Sequence, residues 1–166
     1  MFIIASTILI FIILFIFVSR KASPVPYFPT NSKDIPFIIK ALQLEKNKLV
    51  VDLGAGDGLV IFKAADEAFK KGLNTKFYAV EINPVLILIL YIKRLFHENR
   101  KNIFIIFDDF TKMSLRRFEN AVFYLYLSPK YLSIVYKKIK TEAKNPKIVT
   151  YFYKPNKNIG FIKIKG

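Results

Sequence analysis

The chain has 166 residues, enough for one domain with a substantial core and a short additional segment. It contains no cysteine and one histidine, His97, which excludes a disulfide framework, a thiolate centre and a multi-histidine site, so no metal is expected. A formal net charge of +15, from 27 Lys+Arg against 12 Asp+Glu, reads as attraction to anionic lipid, as attraction to nucleic acid, or as the Lys-, Ile-, Asn- and Phe-rich composition of an A- and T-rich genome; the lysines are scattered rather than gathered on one element, and no nucleic-acid partner is expected.

Met1 to Ser19 carries no charged side chain, glycine or proline, and Phe2 to Val18 is mostly Ile, Leu, Phe and Val. A helix of this length is about 28 Å long, close to the hydrocarbon thickness of a bilayer. No basic residue precedes the apolar run and the run is long for a signal peptide, so residues 1–19 are expected to be an uncleaved transmembrane anchor. Arg20 and Lys21 follow at once, which predicts a single-pass protein whose remaining chain is cytoplasmic. Residues 20–31 hold Pro24, Pro26 and Pro29 and read as a stiff linker. The domain is expected over 32–166.

Ser32 to Leu44 has helical spacing of Ile35, Ile38, Ile39 and Leu42. Leu49 to Leu53 is a short β-branched run and so a buried strand, followed by a turn from Gly54 to Gly58 and a helix over Leu59–Lys71. Lys76 to Val80 is a second strand, closed by Glu81. Asn83 and Pro84 open a helix running to about Glu98. Further strands are expected over 102–107, 121–127 and 147–153, a helix over 129–143, and a short last strand over 160–164. Strands alternating with helices imply an α/β fold with a doubly wound, mostly parallel sheet, preceded by one N-terminal transmembrane helix.

The chemistry concentrates at strand ends. A buried strand delivers Asp52, and glycines follow at 54, 56 and 58 before a helix begins. Glycines at such a turn let a ligand approach the backbone closely. Glu81 closes the next strand, where an acid is placed to accept hydrogen bonds from ribose hydroxyls. A nicotinamide dinucleotide would want G-x-G-x-x-G and a pyrophosphate on the helix dipole. Here the spacing is G-x-G-x-G, and Asp52 and Asp57 would repel a pyrophosphate but suit an ammonium and a sulfonium. Asp57 is equally a helix cap, and Tyr27 reads more as linker packing than as a catalytic residue. Tyr124 and Tyr126 should face the same side of their strand.

These residues carry a resemblance. Asp52–Gly58 resembles motif I of class I S-adenosylmethionine-dependent methyltransferases, and residues 79–84 resemble the acidic second-strand motif. Residues 105–110 resemble the third-strand motif, with Asp109 the better match and Asp108 the alternative. Residues 124–129 resemble the fourth-strand motif that borders the reacting methyl. More finely, the apolar N-terminus, Pro26-Tyr27-Phe28-Pro29 and Glu81–Pro84 look like the membrane-anchored protein-lysine methyltransferases that act on adenine nucleotide translocase and the c-subunit of ATP synthase, and their bacterial relatives.

The resemblance implies the Rossmann-like class I methyltransferase fold and S-adenosyl-L-methionine as cofactor. It implies that Gly54, Ala55, Gly56 and Gly58 shape the methionine end of the pocket, and that Asp52 and Asp57 serve the loop and amino group. Glu81, with Ile82 and Asn83, would hold the ribose, and Asp109 or Asp108 the adenine. Tyr27 and Thr30 would cap the cofactor or line a lysine channel, and Ser128 and Pro129 would sit near the acceptor. The implied activity is N-methylation of a lysine on a membrane-associated protein. A lipid or quinone acceptor, and a non-catalytic membrane module keeping the fold, are the alternatives. Leu59 stands where the family often has a basic residue, which bears on the acceptor rather than the cofactor.

Overall fold

Short apolar runs, buried nearly end to end, organise the middle of the chain into parallel strands. A computed structural model describes residues 4, 6–11, 27–45 and 48–154, and the backbone of 162–164. Six strands form one sheet: β1 (Leu49–Leu53), β2 (Lys76–Glu81), β3 (Ile103–Phe107), β4 (Val122–Leu125), β5 (Lys147–Tyr151) and β6 (Ile162–Ile164), in the order β3-β2-β1-β4-β5-β6. Every pairing is parallel, including β5 with β6. The helices are α1 (Ile35–Leu42), entered through a 3-10 turn at Ser32–Asp34, α2 (Leu59–Lys70), α3 (Pro84–Leu95) and α4 (Pro129–Glu142).

The sheet is buried on both faces, as parallel sheets require. On one face Val50, Phe77, Ala79, Ile103 and Val122 meet Ile38 and Leu42 of α1, Ile61 and Ala65 of α2 and Leu90 of α3. On the other, Val51, Leu53 and Phe123 meet Leu132, Val135 and Ile139 of α4, with Met113, Leu115 and Phe118 from the β3–β4 connection. Fully buried side chains such as Ile61, Phe77 and Leu90 each contribute about 1.5–3 kcal/mol from removal of apolar surface from water.

Local signals explain where the elements stop. Pro84 sits in the first turn of α3, and the Asn83 side chain caps that helix by accepting from the Val85 and Leu86 amides at 2.9 and 3.4 Å. α3 ends at Leu95 rather than Glu98, with Lys93 and Arg94 in its last turn, where cations complement the helix dipole. Arg94 Nε then donates to the Ile103 carbonyl at 2.6 Å and ties α3 to β3. β5 ends at Tyr151 rather than Tyr153 because Phe152 takes φ +69°, which breaks the extended run.

Residues 4 and 6–11 are helical and solvent-exposed. Among the described residues no helix is long and apolar enough to cross a membrane. Most of the expected 1–19 span and of the 20–31 linker lies outside the described residues.

Candidate active site

The strand order reverses between β1 and β4, and the crevice at their carboxyl ends is where ligands bind in open α/β sheets. Three glycines carry the chain out of β1, all at positive φ. Gly54 and Ala55 donate their amides to the Val80 carbonyl, each at 2.9 Å, which folds the loop back onto β2. Glu81 locks it there. Its Oε2 accepts from the Gly56 amide at 2.8 Å, and its Oε1 accepts from the Ile82 and Asn83 amides at 2.8 and 2.9 Å. A carboxylate has about four lone-pair sites, so Oε2 keeps acceptor capacity for a ligand hydroxyl.

Gly56 and Gly58 do different things. A Cβ on Gly56 would lie 2.8 Å from Tyr27 Cε2, so the tyrosine ring rests directly on the loop. A Cβ on Gly58 would meet Leu90 Cδ2 at 2.5 Å and Phe62 Cε2 at 2.7 Å, so this glycine lets α2 and α3 close on each other.

Three acids converge. Asp52 is buried, and its Oδ1 has no hydrogen-bond partner. Burial first, then the Glu81 and Asp57 charges, push its carboxyl well above the ordinary aspartate range. Asp57 lines the pocket and also acts as a turn cap: Oδ1 accepts from the Leu59 amide at 3.3 Å. Its Oδ2 pairs with Lys93 Nζ at 2.8 Å, and the same ammonium donates to the Asp57 carbonyl at 2.7 Å. Thus α3 supplies a cation beside the loop, although position 59 is Leu.

Residues 27–34 roof the crevice. Tyr27, Phe28 and Thr30 line it, and burial, then Asp57, raises the Tyr27 phenol. The far end of this strap is fixed where the Tyr151 hydroxyl donates to buried Asp34 Oδ2 at 2.7 Å. Burial and then the Asp34 carboxylate push Tyr151 up to about 12. Beneath the strap, Tyr124 stands opposite Asp52 in the β1–β4 register, so both side chains share one face of the sheet. Its ring is buried and its hydroxyl has no hydrogen-bond partner. Burial and then the Asp52 charge raise this phenol far above the ordinary range; the Thr30 hydroxyl is near enough to oppose that rise, but the two are not in hydrogen-bond geometry.

The crevice thus gathers Tyr27, Thr30, Asp52, Gly54, Ala55, Gly56, Asp57, Glu81 and Ile82. Gly58, Asn83, Ser128 and Pro129 do not line it: Gly58 and Asn83 cap α2 and α3, while Ser128 and Pro129 begin α4. Asp108 and Asp109 also stand outside its lining. Asp109 Oδ1 accepts from the Thr111 amide at 2.9 Å and hydroxyl at 2.6 Å. Partial burial opposes ionisation of Asp109, but those bonds and Lys112 outweigh it and hold the carboxyl below its ordinary value. Asp108 is exposed and accepts from the Asp109 amide at 2.7 Å. Phe28, Leu86, Phe110 and Leu127 also line the crevice; all but Leu86 lie inside the quoted motifs, but the sequence gives none of them a contact role. Only the topology brings these apolar walls together.

No protein-family model matches the chain. Solved structures do. A Salinibacter ruber RNA methyltransferase in complex with S-adenosyl-L-homocysteine superposes with TM-score 0.60 at 18% identity, over 70% of this chain and 72% of that one. A precorrin-6y C5,15-methyltransferase from Geobacter metallireducens superposes with TM-score 0.61 at 18% identity, over 74% of this chain and 63% of that one. The fold is that of class I S-adenosylmethionine-dependent methyltransferases. Among curated proteins, the ATP synthase c-subunit lysine N-methyltransferase of Xenopus laevis is 27% identical over 124 residues, 72% of this chain. The chain spans about half the length of that relative, 49%.

The crevice of this methyltransferase fold fits the fold's cofactor. S-adenosylmethionine presents an ammonium, a sulfonium and a ribose diol. The orphaned Asp52 carboxylate and neighbouring Asp57 suit the cationic end, and the spare Glu81 acceptor suits a ribose hydroxyl. The loop amides nearest an incoming ligand are already spent on Val80 and Glu81, so they offer little to an anion.

Proposed function

We propose that this chain is an S-adenosylmethionine-dependent methyltransferase that N-methylates a lysine of a membrane-associated protein. Residues 1–19 would anchor it as a single-pass protein with the domain on the cytoplasmic side. The observation that carries the enzymatic reading is the buried carboxylate of Asp52, partnerless beside Asp57 and Glu81 under the Tyr27 roof. A folded chain keeps such a group for a cationic ligand; otherwise it is a stability cost with no return. The lysine reading rests on the resemblance to the Xenopus laevis lysine N-methyltransferase and on an aromatic wall of Tyr27, Phe28, Phe110, Tyr124 and Tyr126. Aromatic faces attract an alkylammonium, and their bulk excludes the water that would keep the amine protonated.

When bound, S-adenosylmethionine would supply an electrophilic methyl on sulfur, with the neutral thioether as its leaving group. The protein's part is placement. Asp52 and Asp57 would hold the cationic end, and Glu81, which already fixes the loop, would hold the ribose. Tyr124 lines the crevice, and its phenolic oxygen would accept an amine N–H and so turn the lone pair toward the methyl. Tyr27 and Thr30 close the roof over it. Neutral acceptors such as lipid or quinone would gain less from this acidic, aromatic crevice, and nucleic acid would be repelled by it.

The test is transfer of radiolabelled methyl by the full-length chain to native membranes. Label on a protein band, located on a lysine by mass spectrometry, is the expected result. Label only in the organic extract would replace lysine by lipid or quinone as the acceptor, and label only in RNA would replace it by nucleic acid. Cofactor binding by calorimetry with no transfer to any fraction would leave a binding module.

A further inference from the structure

Helix α3 is apolar on two faces. Leu86, Ile87 and Leu90 are buried against the sheet, as a core helix demands. The opposite face carries Leu88, Tyr91, Ile92, Leu95 and Phe96, at spacing i, i+3, i+4, i+7 and i+8, the stripe of an amphipathic helix. All five face solvent, from 49% exposed at Tyr91 to 80% at Phe96. A continuous stripe of this kind is unlike singly scattered surface apolars and marks an interaction surface.

Charge says what covers it. From Pro84 to Asn102 the ionised side chains are Lys93, Arg94, Arg100 and Lys101 against Glu98 alone. The stripe ends at an open groove walled by Phe96 and Phe62, where Lys93 is paired with Asp57, so the unpaired charge beyond it is that of Arg100 and Lys101. Asp66 at its side is already engaged, 2.9 Å from His97 Nε2 and 3.4 Å from Lys63 Nζ. An apolar stripe with a cationic end is the pattern of a helix lying in a membrane interface. A second copy of this chain would bring another net charge of +15 against this one, which opposes pairing. The apolar N-terminal segment has no acid to pair with the cations.

We propose that the outer face of α3 docks on an anionic lipid surface, with Leu95 and Phe96 in the acyl boundary and Arg100 and Lys101 on headgroup phosphates. This docking is separate from the methyl-transfer reading and stands or falls without it. It also sets an orientation. α3 starts beside Glu81 and Asn83, so docking of its outer face brings the end of the sheet that carries the crevice close to the membrane.

The chain has no tryptophan, so a single introduced indole reports alone. The full-length protein is reconstituted in nanodiscs of mixed anionic and zwitterionic lipid, with and without brominated acyl chains. Phe96→Trp is compared with Ile134→Trp, which lies on α4 against the other sheet face and is 47% exposed. Both sites are solvent-facing, and circular dichroism checks that each variant folds. Bromine quenching roughly twofold or more stronger at position 96 is expected, since interfacial helices bury their apolar face to about 5–10 Å. That excess should shrink in purely zwitterionic discs and with Arg100→Glu/Lys101→Glu. Equal quenching at both positions would overturn the proposal. So would a blue-shifted but unquenched indole at position 96, which would mean that protein covers the stripe, either a second copy or the N-terminal segment. Quenching unchanged by the charge reversal and by uncharged lipid would overturn the headgroup pairing.

Discussion

Replacing Asp52 by Asn separates the cost of the crevice from its use. Asp52 is 2% exposed, its Oδ1 is unpaired, and Glu81 and Asp57 both raise its carboxyl. Removing the charge relieves desolvation and like-charge repulsion in the ligand-free protein, so Asp52→Asn should raise the thermal midpoint. It also deletes a charge-assisted hydrogen bond to a cationic ligand, a loss of about 1.5–3 kcal/mol. At about 1.4 kcal/mol per tenfold, affinity for S-adenosylmethionine should fall roughly 10- to 150-fold. The assay is a melting curve beside titration calorimetry on the full-length protein in detergent. A lower melting point together with affinity within about threefold of the parent would refute the reasoning, because Asp52 would then be a structural acid.

The same carboxyl makes binding pH-dependent. Its folded value is raised, so the native chain binds more protons than the unfolded one, and this group's contribution to stability falls as pH rises through that folded value. A cationic ligand must expel the proton, so affinity should weaken as pH falls through that value, with proton release that calorimetry in buffers of different ionisation enthalpy will count. Gly58→Ala should cost about 2–4 kcal/mol of stability, since its Cβ would overlap Leu90 and Phe62 at φ +80°, whereas Gly56→Ala displaces Tyr27 and should abolish cofactor binding with a smaller loss, about 1–2 kcal/mol; denaturant melts and calorimetry on both variants check this. Tyr124→Phe removes a hydroxyl with no partner, so the fold should be unharmed and cofactor affinity retained, while methyl transfer should drop about tenfold or more; an unchanged rate would remove Tyr124 from the acceptor side.

Strands, helices and the glycine loop are legible in the sequence because each rests on local chemistry. β-branched runs bounded by turns mark β1 and β2, Asn83-Pro84 marks the start of α3, and the acids at the ends of β1 and β2 mark one side of the crevice. What is not legible depends on register. Tyr124 joins Asp52 only because β1 and β4 pair at those two residues, and the sequence says nothing of that pairing. Lys93 reaches Asp57 across 36 positions, which no motif encodes. After β3 the acid pair reads from sequence as ligand contacts, yet Thr111 stands two residues beyond Asp109 and engages it as a turn does. The outer stripe of α3 is hidden because its residues look like core until the sheet is seen to occupy the other face.

The Tyr151–Asp34 hydrogen bond spans 117 positions and joins the crevice roof to β5. During synthesis the roof emerges first and its anchor point last. At bacterial to eukaryotic elongation rates that gap is roughly 6–25 s. From the moment Glu81 is made, the glycine loop and Glu81 exist on the nascent chain with a roof not yet tied to Tyr151. Completion of β5 is therefore the event that closes the crevice, and a ribosome-stalled chain lacking residues 147–151 should neither retain cofactor nor protect Tyr27 from proteolysis nearby.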